Sequence, residues 1–391
     1  MLVEPRTVVG AAKYAVVGAG PAGLAATATI LQNERDASII WIDGSFMGGR
    51  LSRFPNVPSN TRASLFAQFA TACHSKGEAL PTVVEKINTV KGDAGCCLEW
   101  AWEMVVGLTR LLQSSHQDCL TLVKGHCLKI EETSKGGWRV TVSGENATSP
   151  SSYQVDKVVL ATGCHPKTGP TLPQFQGEVL DPEAFLCPQQ LSARVQPNDT
   201  IGLVGNSHTA ILVLRNLIQF THPTVRIINF YRSPLRFAQY LPDGRIKYDN
   251  TGLKGEAAEW ARQELLSHDS QDPLPSHLFE GKLLRIAMPD KGAEEHVYTE
   301  WLPQCTKLIW AIGYERNQLP DLVNHVGVPL MVRSHDSKGR LCDDKGDAIN
   351  GLFGMGIAFA ERVVDPSGDQ EEAVGLWKFI KTAKGIFGDT Q

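Results

Sequence analysis

The sequence predicts an α/β protein built from two domains of βαβ type, each with a β-meander, the second inserted in the first. Three observations predict this fold. A strand, a glycine turn and a helix begin near Lys13, and the same succession begins again near Thr200. Each unit is followed by β-rich runs that end in an Ala-x-Gly turn, at residues 161–163 and 311–313. Strands that alternate with helical segments are typical of parallel sheets.

The first glycine turn follows a short apolar strand at residues 14–17 and opens a helix of small residues. In such a G-x-G-x-x-G turn the first glycine permits a tight turn. The second lets a pyrophosphate approach the backbone, and the third lets helix and strand pack closely. A proline suits the first helical turn, and the helix N-terminus attracts phosphate. The predicted cofactor-binding residues of this turn are Gly18, Gly20, Pro21, Ala22 and Gly23.

The next strand, residues 37–42, ends in Asp43, which stands twenty residues after Gly23. An acid at this spacing accepts hydrogen bonds from a ribose 2′-hydroxyl. The agreement of pattern and spacing predicts a dinucleotide site. Two glycines at 48 and 49 then permit close approach of the backbone to a bulky planar ligand. We therefore add Gly49 and Arg50 to the predicted cofactor-binding residues.

Composition limits the classes of function. A chain of 391 residues predicts two or three domains, and a net charge of −4 excludes a nucleic-acid or anionic-membrane footprint. No apolar run is long enough for a membrane span, and the N-terminus resembles neither a signal nor a transit peptide. Nine cysteines without a regular spacing fit a reducing compartment. We expect a cytoplasmic protein that has no metal site and does not bind nucleic acid or membranes.

Between the first turn and residue 168 the sequence predicts two helices and a meander. One helix begins near Arg62, where Ser59 or Asn60 could be its cap, and another covers residues 95–114, with Cys96 and Cys97 on it. Three β-rich runs follow at 119–133, 138–144 and 153–163. The last run ends in Thr162 and Gly163, which complete the predicted cofactor-binding residues of the first domain, residues 1–168.

A connector rich in Pro and Gln, residues 169–198, is expected to be loop-like. The second domain, residues 199–314, has a strand at 200–204, an apolar helix to about 220, a strand at 225–230 and β-rich runs at 296–302 and 306–314. Residues 315–391 are expected to return to the first domain with a strand at 326–332 and a closing helix at 371–387. The predicted cofactor-binding residues of the second domain are Gly205, Asn206, Ser207, His208, Thr209, Arg232, Ala311 and Gly313.

Arg232 follows the second strand of the second unit. An acid at this place favours NAD(H), whereas a guanidinium suits the 2′-phosphate of NADP(H). The alternative is a solvated arginine at a strand end. His208, in the second glycine turn, either contacts the nicotinamide nucleotide or only opens the helix.

Two such units in this order resemble the two-dinucleotide-binding-domain flavoproteins, in which the first unit binds FAD and the inserted unit binds NAD(P)H. The segment from Phe175 to Phe185 resembles the F-x-G-x-x-x-H-x-x-x-Y/F fingerprint of flavin-containing monooxygenases. The stretch P-S-N-T at 58–61 is similar to the segment that places an asparagine beside the flavin C4a edge in that family. The resemblance therefore implies that Asn60 is a catalytic residue.

The sequence departs from the family pattern in three places. Asp181 stands where the fingerprint has histidine, and Ser207 stands where the second turn has its middle glycine. The C-terminal motif at 354–357 contains Gly356, a further predicted cofactor-binding residue, but lacks the usual Gly-Asp. Asp365 and Asp369 are the candidates to replace that missing acid.

The resemblance implies an FAD-dependent, NADPH-using oxidoreductase similar to flavin monooxygenases, acting on a small molecule and O₂. Two alternatives remain at this stage: an NADPH-dependent flavin reductase or oxidase, and a flavin-bound redox sensor without turnover. A dithiol reductase is disfavoured because no two cysteines have C-x-x-C or C-x-x-x-x-C spacing.

Overall fold

The structure is a computed structural model that describes residues 8–74, 79–92, 94–144, 149–266 and 281–388. The first seven residues, on which part of the leader prediction depends, lie outside this range. None of the helices in these ranges is both long and apolar enough to cross a bilayer. The described helices are α1 Pro21–Asn33, α2 Ala63–Ala72, α3 Thr82–Thr89, α4 Leu98–Ser115, α5 His208–Phe220, α6 Gly255–Glu264, α7 Lys291–Trp301 and α8 Leu376–Phe387.

The strands form two larger sheets and four two-stranded pairs. They are β1 Val8–Val17, β2 Ile39–Asp43, β3 Pro58–Arg62, β4 Gly95–Cys97, β5 Leu120–Glu132, β6 Trp138–Gly144, β7 Ser151–Leu160, β8 Cys164–Pro166, β9 Glu178–Leu180, β10 Thr200–Val204, β11 Arg226–Tyr231, β12 Gln239–Tyr240, β13 Ile246–Lys247, β14 Leu283–Ala287, β15 Lys307–Trp310, β16 Tyr314–Arg316, β17 Asp321–Val323, β18 Ser334–His335, β19 Arg340–Cys342, β20 Ala348–Gly354, β21 Glu361–Val364 and β22 Gln370–Ala373.

The first sheet has β1 at its centre, parallel to both β2 and β7. Strands β5, β6 and β7 form an antiparallel meander, so the meander predicted after the first unit is confirmed. Strand β20 pairs parallel to β7 and β17 pairs parallel to β5, so strands that follow residue 315 belong to this sheet. Helices α1, α2, α4 and α8 bury one apolar core against it, with Trp41 and Phe69 fully buried.

The second sheet has five parallel strands in the order β14-β11-β10-β15-β9. It has no antiparallel meander in the described residues, so that part of the predicted second domain is wrong. Residues 296–302 lie in α7 and the turn after it. The Asp290 side chain accepts a hydrogen bond from the Ala293 N–H and caps this helix, and Val297, Tyr298 and Leu302 are buried on one face. The cap and the helical spacing override the β propensity of the segment.

The connector also differs from the expected loop. Its strand β9 pairs with β15 and forms one edge of the second sheet. Two short 3-10 turns follow, Pro182–Phe185 and Pro188–Gln190. Residues 169–198 therefore contribute to the packing of the second unit.

Three local predictions are wrong. Residues 326–332 do not form a strand: the Asn324 side chain accepts the N–H groups of Val326 and Val328 and fixes a turn at 325–327, after which Pro329 makes an isolated bridge to Val323. Helix α2 follows Arg62 without a side-chain cap, because Ser59 and Asn60 belong to β3 and the Ser59 hydroxyl accepts the Thr61 N–H instead. Residues 96 and 97 form β4 and lie before α4.

A polar contact joins the two units away from the sheets. Glu371 of β22 is only 4 % exposed and accepts three hydrogen bonds from the segment after β13. The donors are the Asn250 N–H at 2.9 Å, the Asn250 side-chain amide at 3.0 Å and the Thr251 hydroxyl at 2.6 Å. The closing segment of the chain thus holds a loop of the second unit.

Two helical glycines give a matched test of the α1 packing. A Cβ on Gly23 would lie 1.9 Å from the Gly18 carbonyl oxygen, whereas a Cβ on Gly385 of α8 meets no atom within 4 Å. We expect Gly23→Ala to lower the free energy of unfolding by at least about 1–3 kcal/mol. Gly385→Ala should raise it by about 0.5–1 kcal/mol through helix propensity. Urea denaturation of both FAD-free variants measures this, and equal effects would contradict the close packing of α1.

Candidate cofactor and active site

The two glycine turns are built alike. Gly18 has φ +106° and Gly205 has φ +135°. A Cβ on either would lie 2.3 Å from a carbonyl oxygen, that of Ala161 or that of Ala311 respectively. Only glycine fits both this positive φ angle and this short distance to a carbonyl oxygen. The two glycines therefore allow each glycine turn to lie directly against the Ala-x-Gly turn of its own unit. Both turns lie at the carboxyl ends of parallel strands, where ligands bind in such sheets.

The first turn leaves a cradle beside α1. Helix α1 begins at Pro21 and no side chain caps its N-terminus. A Cβ on Gly20 would have the Gly49 Cα at 3.8 Å as its only neighbour within 4 Å. Gly356 has φ +79° and approaches Ala22 so closely that its Cβ would lie 2.5 Å from the Ala22 Cβ. Backbone from three distant segments therefore converges on an uncapped helix end, which fits a pyrophosphate.

Asp43 lies beside this cradle and supports it. One carboxylate oxygen accepts the Ala19 N–H at 2.8 Å, and the other accepts the N–H groups of Ser45 and Phe46, both at 2.8 Å. A carboxylate has about four acceptor positions. The oxygen that faces Ser45 and Phe46 also accepts the Ser45 hydroxyl at 3.4 Å, whereas the oxygen bonded to Ala19 has this one donor and can still accept another, such as a ribose hydroxyl.

The turn at Thr162 and Gly163 is held by Asn317, a residue the sequence reasoning missed. The Asn317 side-chain amide donates to the Thr162 carbonyl at 2.8 Å, and its backbone N–H donates to the Gly163 carbonyl at 3.1 Å. His165 lies 2.9 Å from the Asn317 side-chain oxygen. The Thr162 hydroxyl is buried without a hydrogen-bond partner among the described residues. A buried hydroxyl in this state fits a polar group of a bound ligand.

Arg50 forms a buried ion pair instead of pointing freely toward a cofactor. It bonds both carboxylate oxygens of Glu183, one of them at 3.1 Å, and the Glu183 side chain is 3 % exposed. Arg53 lies 3.5 Å from the same carboxylate. The Asp181 side chain accepts the Glu183 N–H at 2.9 Å and caps this turn, which gives Asp181 a structural role. The pair joins the 3-10 turn Gly49–Arg53 to the connector.

Asn60, the predicted catalytic residue, is exposed on β3. Its side-chain oxygen accepts the Thr61 hydroxyl at 3.3 Å. It does not line the cavities described below, so its role stays a prediction. Asp365 and Asp369, the candidates for the missing acid, face the second unit: Asp365 accepts the Tyr248 N–H, and Asp369 lies 3.9 Å from Arg236. Neither has a described contact with the first glycine turn.

The second glycine turn borders a cavity of about 560 Å³. Gly205, Asn206, Ser207 and Ala311 line it, and Ser207 precedes α5 without a side-chain cap. The Asn206 amide donates to the Ser233 carbonyl at 2.9 Å, and its oxygen accepts a buried guanidinium, that of Arg285. Arg285, on β14, was also missed by sequence reasoning.

Three cations line this cavity: Lys167, Arg232 and Arg236, with no carboxylate among the lining residues. The Lys167 N–H donates to the Gly313 carbonyl at 3.0 Å, which places Lys167 beside the second Ala-x-Gly turn. Arg232 forms an ion pair with Glu294. The cavity is therefore suited to an anion.

His208 begins α5, and its Nδ1 atom is buried without a described hydrogen-bond partner. Burial lowers the pKa of His208 to about 4, and the charges of Lys254 and Arg215 contribute in the same direction. Its neighbour Thr209 lies near Tyr314, whose pKa is raised by burial and by the charge of Glu183. The neutral His208 and the uncapped helix end give this turn unpaired polar groups, like those of the first turn.

A second cavity, of about 630 Å³, adjoins the Thr162 turn through Asn317. Its lining includes the apolar residues Leu319, Leu330, Met331 and Val332 and three charged residues, Lys129, Arg316 and Asp321. No ion pair of Arg316 is found among the described residues, and its guanidinium lies 4.8 Å from the Phe359 ring centre. This cavity can take an apolar small molecule.

The cysteines do not form a redox pair. All nine lie in the described ranges and all are free. Cys164, next to the Thr162 turn, has its pKa raised to about 11 by burial, so its thiol is protonated at neutral pH. No group of three or more potential metal ligands occurs in the part of the chain that the structure describes.

The depressed pKa of His208 predicts a pH dependence of stability. Between about pH 6.5 and 4 the unfolded chain binds a proton that the folded chain excludes, so the free energy of unfolding falls as the pH falls. At pH 5 the expected loss is up to about 2 kcal/mol. His208→Gln should flatten urea midpoints between pH 7 and 5, whereas the exposed His296→Gln should not. The same slope in both variants would contradict the burial of His208.

Comparison with known proteins agrees with this geometry. A family model described as pyridine nucleotide-disulphide oxidoreductase matches residues 12–238. Monooxygenase AgnR1 of Paecilomyces divaricatus is 36% identical over 389 residues, which cover 95% of this chain and 96% of that protein.

Solved structures share the fold at low sequence identity. The ornithine N-hydroxylase of Kutzneria sp. 744, recorded with reduced FAD, NADP⁺ and L-ornithine, has a TM-score of 0.62 at 12% identity and covers 96% of this chain and 98% of its own. The ornithine hydroxylase PvdA of Pseudomonas aeruginosa has a TM-score of 0.55 at 15% identity, with 97% and 98% covered.

The predicted flavoprotein resemblance and α/β fold class are thereby confirmed, apart from the second β-meander. The chain belongs to the pyridine nucleotide-disulphide oxidoreductase family, and within it is an FAD- and NAD(P)H-dependent oxidoreductase of the flavin monooxygenase type.

Proposed function

We propose that the protein is an NADPH-dependent flavin monooxygenase that oxygenates an apolar small molecule with O₂. The observation that carries this proposal is the antiparallel pairing of β8 with β16. These strands directly follow the two Ala-x-Gly turns, so the two nucleotide sites meet at one junction. We assign residues 1–168 and 315–391 to FAD and 199–314 to NADPH, with 169–198 as connector.

The first unit supplies the groups that FAD requires. The uncapped end of α1 and the backbone at Gly20 and Gly49 would hold the pyrophosphate. Asp43 retains an acceptor position for the ribose, and the unpaired Thr162 hydroxyl would bond a polar group of the cofactor. Bound FAD supplies hydride acceptance from NADPH and electron transfer to O₂.

The second unit supports a preference for NADPH. The cavity beside Gly205 is lined by three cations and no acid, which suits the extra charge of a 2′-phosphate. Arg232 lies just past β11, the position that reads the ribose substituent in this kind of fold.

We place the acceptor substrate in the cavity next to Asn317. This residue lines the cavity and at the same time holds the Thr162 turn, so the two sites share a wall. The apolar lining favours a substrate with a hydrophobic body. AgnR1, whose name records a monooxygenase, supports oxygen transfer over simple electron transfer.

Gly20→Val tests the FAD site. Gly20 has extended backbone angles that valine adopts readily, so the variant should fold. Its branched side chain would occupy the space left for the pyrophosphate, and the purified protein should be colourless. Gly10→Val on β1, where a Cβ meets only the Tyr153 ring, should keep FAD. Stoichiometric flavin absorbance in Gly20→Val, with unchanged circular dichroism, would refute this site.

Arg232→Ala tests the nicotinamide specificity. A charge-assisted hydrogen bond contributes roughly 1.5–3 kcal/mol, so the KM for NADPH should rise about tenfold or more. The KM for NADH should stay nearly unchanged. Rates of flavin reduction measure both, with the exposed Arg194→Ala as control. Equal losses for the two nucleotides would mean that Arg232 does not contact the 2′-phosphate.

Asn60 tests the oxygenase chemistry. Because Asn60 is exposed and caps no helix, Asn60→Ala should change the free energy of unfolding by no more than about 0.5 kcal/mol. If its amide donates to the flavin, H₂O₂ released per NADPH should rise, and rise further in Asn60→Asp, which cannot donate. Asn56→Ala, a nearby exposed asparagine, is the control. If the peroxide yield is unchanged in both Asn60→Ala and Asn60→Asp, Asn60 does not belong to the site.

The wild-type protein tests the function as a whole. Purified FAD-loaded protein is given NADPH and O₂ with a panel of apolar ketones, amines and thioethers, and products and H₂O₂ are measured together. Oxygenated product is expected for one class. If all electrons appear as H₂O₂ whatever the substrate, the protein is an oxidase. If NADPH does not reduce the flavin, it is a flavin-bound protein without turnover.

A further inference from the structure

Arg232 is paired with a carboxylate of its own chain. Its Nη2 atom lies 2.8 Å from both carboxylate oxygens of Glu294, which is on the first turn of α7. The Arg232 side chain is 70 % exposed, whereas the Glu294 side chain is 15 % exposed. The carboxylate thus lies against the protein and holds a guanidinium that extends into the NADPH cavity.

The atom that Glu294 contacts decides what else Arg232 can bind. A guanidinium offers two forked faces for an oxyanion, Nη1 with Nη2 and Nε with Nη2. Because Nη2 belongs to both faces, a carboxylate centred on Nη2 obstructs both. A 2′-phosphate that binds Arg232 through two hydrogen bonds must therefore displace Glu294. It would otherwise lie close to a second negative charge.

We propose that Glu294 competes with the 2′-phosphate of NADPH for Arg232 and thereby sets the nucleotide preference of the enzyme. The inference rests on the proposed function, since it requires NADPH in the cavity beside Gly205. It goes further by assigning a specificity role to a residue outside the glycine turn and outside the lining of the cavity. Glu294 lowers the affinity for NADPH and leaves that for NADH unaffected.

Tyr298 offers the displaced carboxylate another partner. It lies four residues after Glu294 on the same helix, and residues at this spacing are neighbours on a helix surface. Its hydroxyl is buried and makes no hydrogen bond of ordinary geometry among the described residues, but the Glu294 carboxylate lies close enough to act on it as an acceptor. Its ring is held edge-on by Phe230 at 5.7 Å and Trp310 at 6.3 Å between ring centres.

The charge state of Tyr298 suits this role. Burial raises the pKa of Tyr298, and the negative charge of Glu294 and a hydrogen bond to its carboxylate raise it further. The phenol therefore keeps its proton at neutral pH and can donate it to a carboxylate. Glu294 thus lies between two partners, Arg232 and Tyr298, and Tyr298 can keep the carboxylate when NADPH takes Arg232.

The other arginine of the cavity is arranged differently. Arg236 lies 3.9 Å from Asp369, and its guanidinium is 4.6 Å from the Tyr248 ring centre. Asp369 is half exposed and does not obstruct a forked face at hydrogen-bond distance. Arg236 thus attracts the phosphate by charge, and the competition is confined to Arg232.

The test measures equilibrium binding of NADP⁺ and NAD⁺ to the oxidised, FAD-loaded protein, since neither nucleotide reduces the flavin. In Glu294→Gln the Kd for NADP⁺ should fall about three- to tenfold, and that for NAD⁺ should change less than twofold. Glu295→Gln is the matched control. Glu295 is exposed on the same turn and makes no described side-chain ion pair, so both Kd values should stay unchanged.

Two further variants separate the steps of the argument. In an Arg232→Ala background, Glu294→Gln should bring no gain for NADP⁺, because the competition needs the arginine. Tyr298→Phe keeps the ring packing and should weaken NADP⁺ without affecting NAD⁺.

A higher Kd for NADP⁺ in Glu294→Gln would overturn the proposal, because Glu294 would then orient Arg232 for the phosphate. An unchanged Kd in Tyr298→Phe would overturn the role of the tyrosine. If Arg232→Ala alone leaves NADP⁺ binding unchanged, the proposed nucleotide site fails, which is a different result from failure of the competition.

Discussion

The chain crosses between the two sheets twice, and the two crossing segments pair with each other as one short antiparallel ladder, β8 with β16. Strand β8 leaves the first Ala-x-Gly turn and strand β16 leaves the second, so their pairing fixes the distance between the two turns. This ladder positions three features relative to one another: the cradle at Gly20, the Thr162 turn that Asn317 holds, and the cavity beside Gly205. A ligand-binding junction between two sheets requires this kind of constraint, because each sheet alone provides only one nucleotide edge.

The Arg50–Glu183 pair adds a second constraint at the same junction. A buried carboxylate is tolerated only with close partners, and Glu183 has two arginines and a capped turn. Asp181, which replaces the histidine of the family fingerprint, provides that cap. The departure from the family pattern thus has a local structural role, that of holding the turn that carries Glu183.

The sequence predicted the features that depend on neighbouring residues. The two glycine turns, the strands before them and the first meander follow from local backbone chemistry and periodicity. The errors came where local signals conflicted: residues 296–302 have β-forming side chains but a helix cap upstream, and residues 326–332 are apolar but begin in a turn that Asn324 fixes at 325–327.

The functional residues that the sequence analysis missed were missed for a different reason. Glu183 meets Arg50 across 133 positions, Asn317 meets Thr162 across 155, and Glu294 meets Arg232 across 62. No spacing rule connects residues so far apart, so these pairs are visible only once the fold is known. They also carry the electrostatics of the site, which is why the cofactors could be predicted more fully than their specificity.

The contact of Glu371 with Asn250 and Thr251 has a consequence for turnover. Thr251 also lines the cavity beside Gly205, so the closing segment of the first unit supports part of the wall of the proposed nucleotide site. Swinging one unit away from the other would expose three donors and leave a buried carboxylate unpaired, which is costly. The two units are therefore expected to keep one orientation throughout the reaction cycle. In the proposed function, release of the spent nucleotide would then depend on side-chain movement at the cavity and not on separation of the two units.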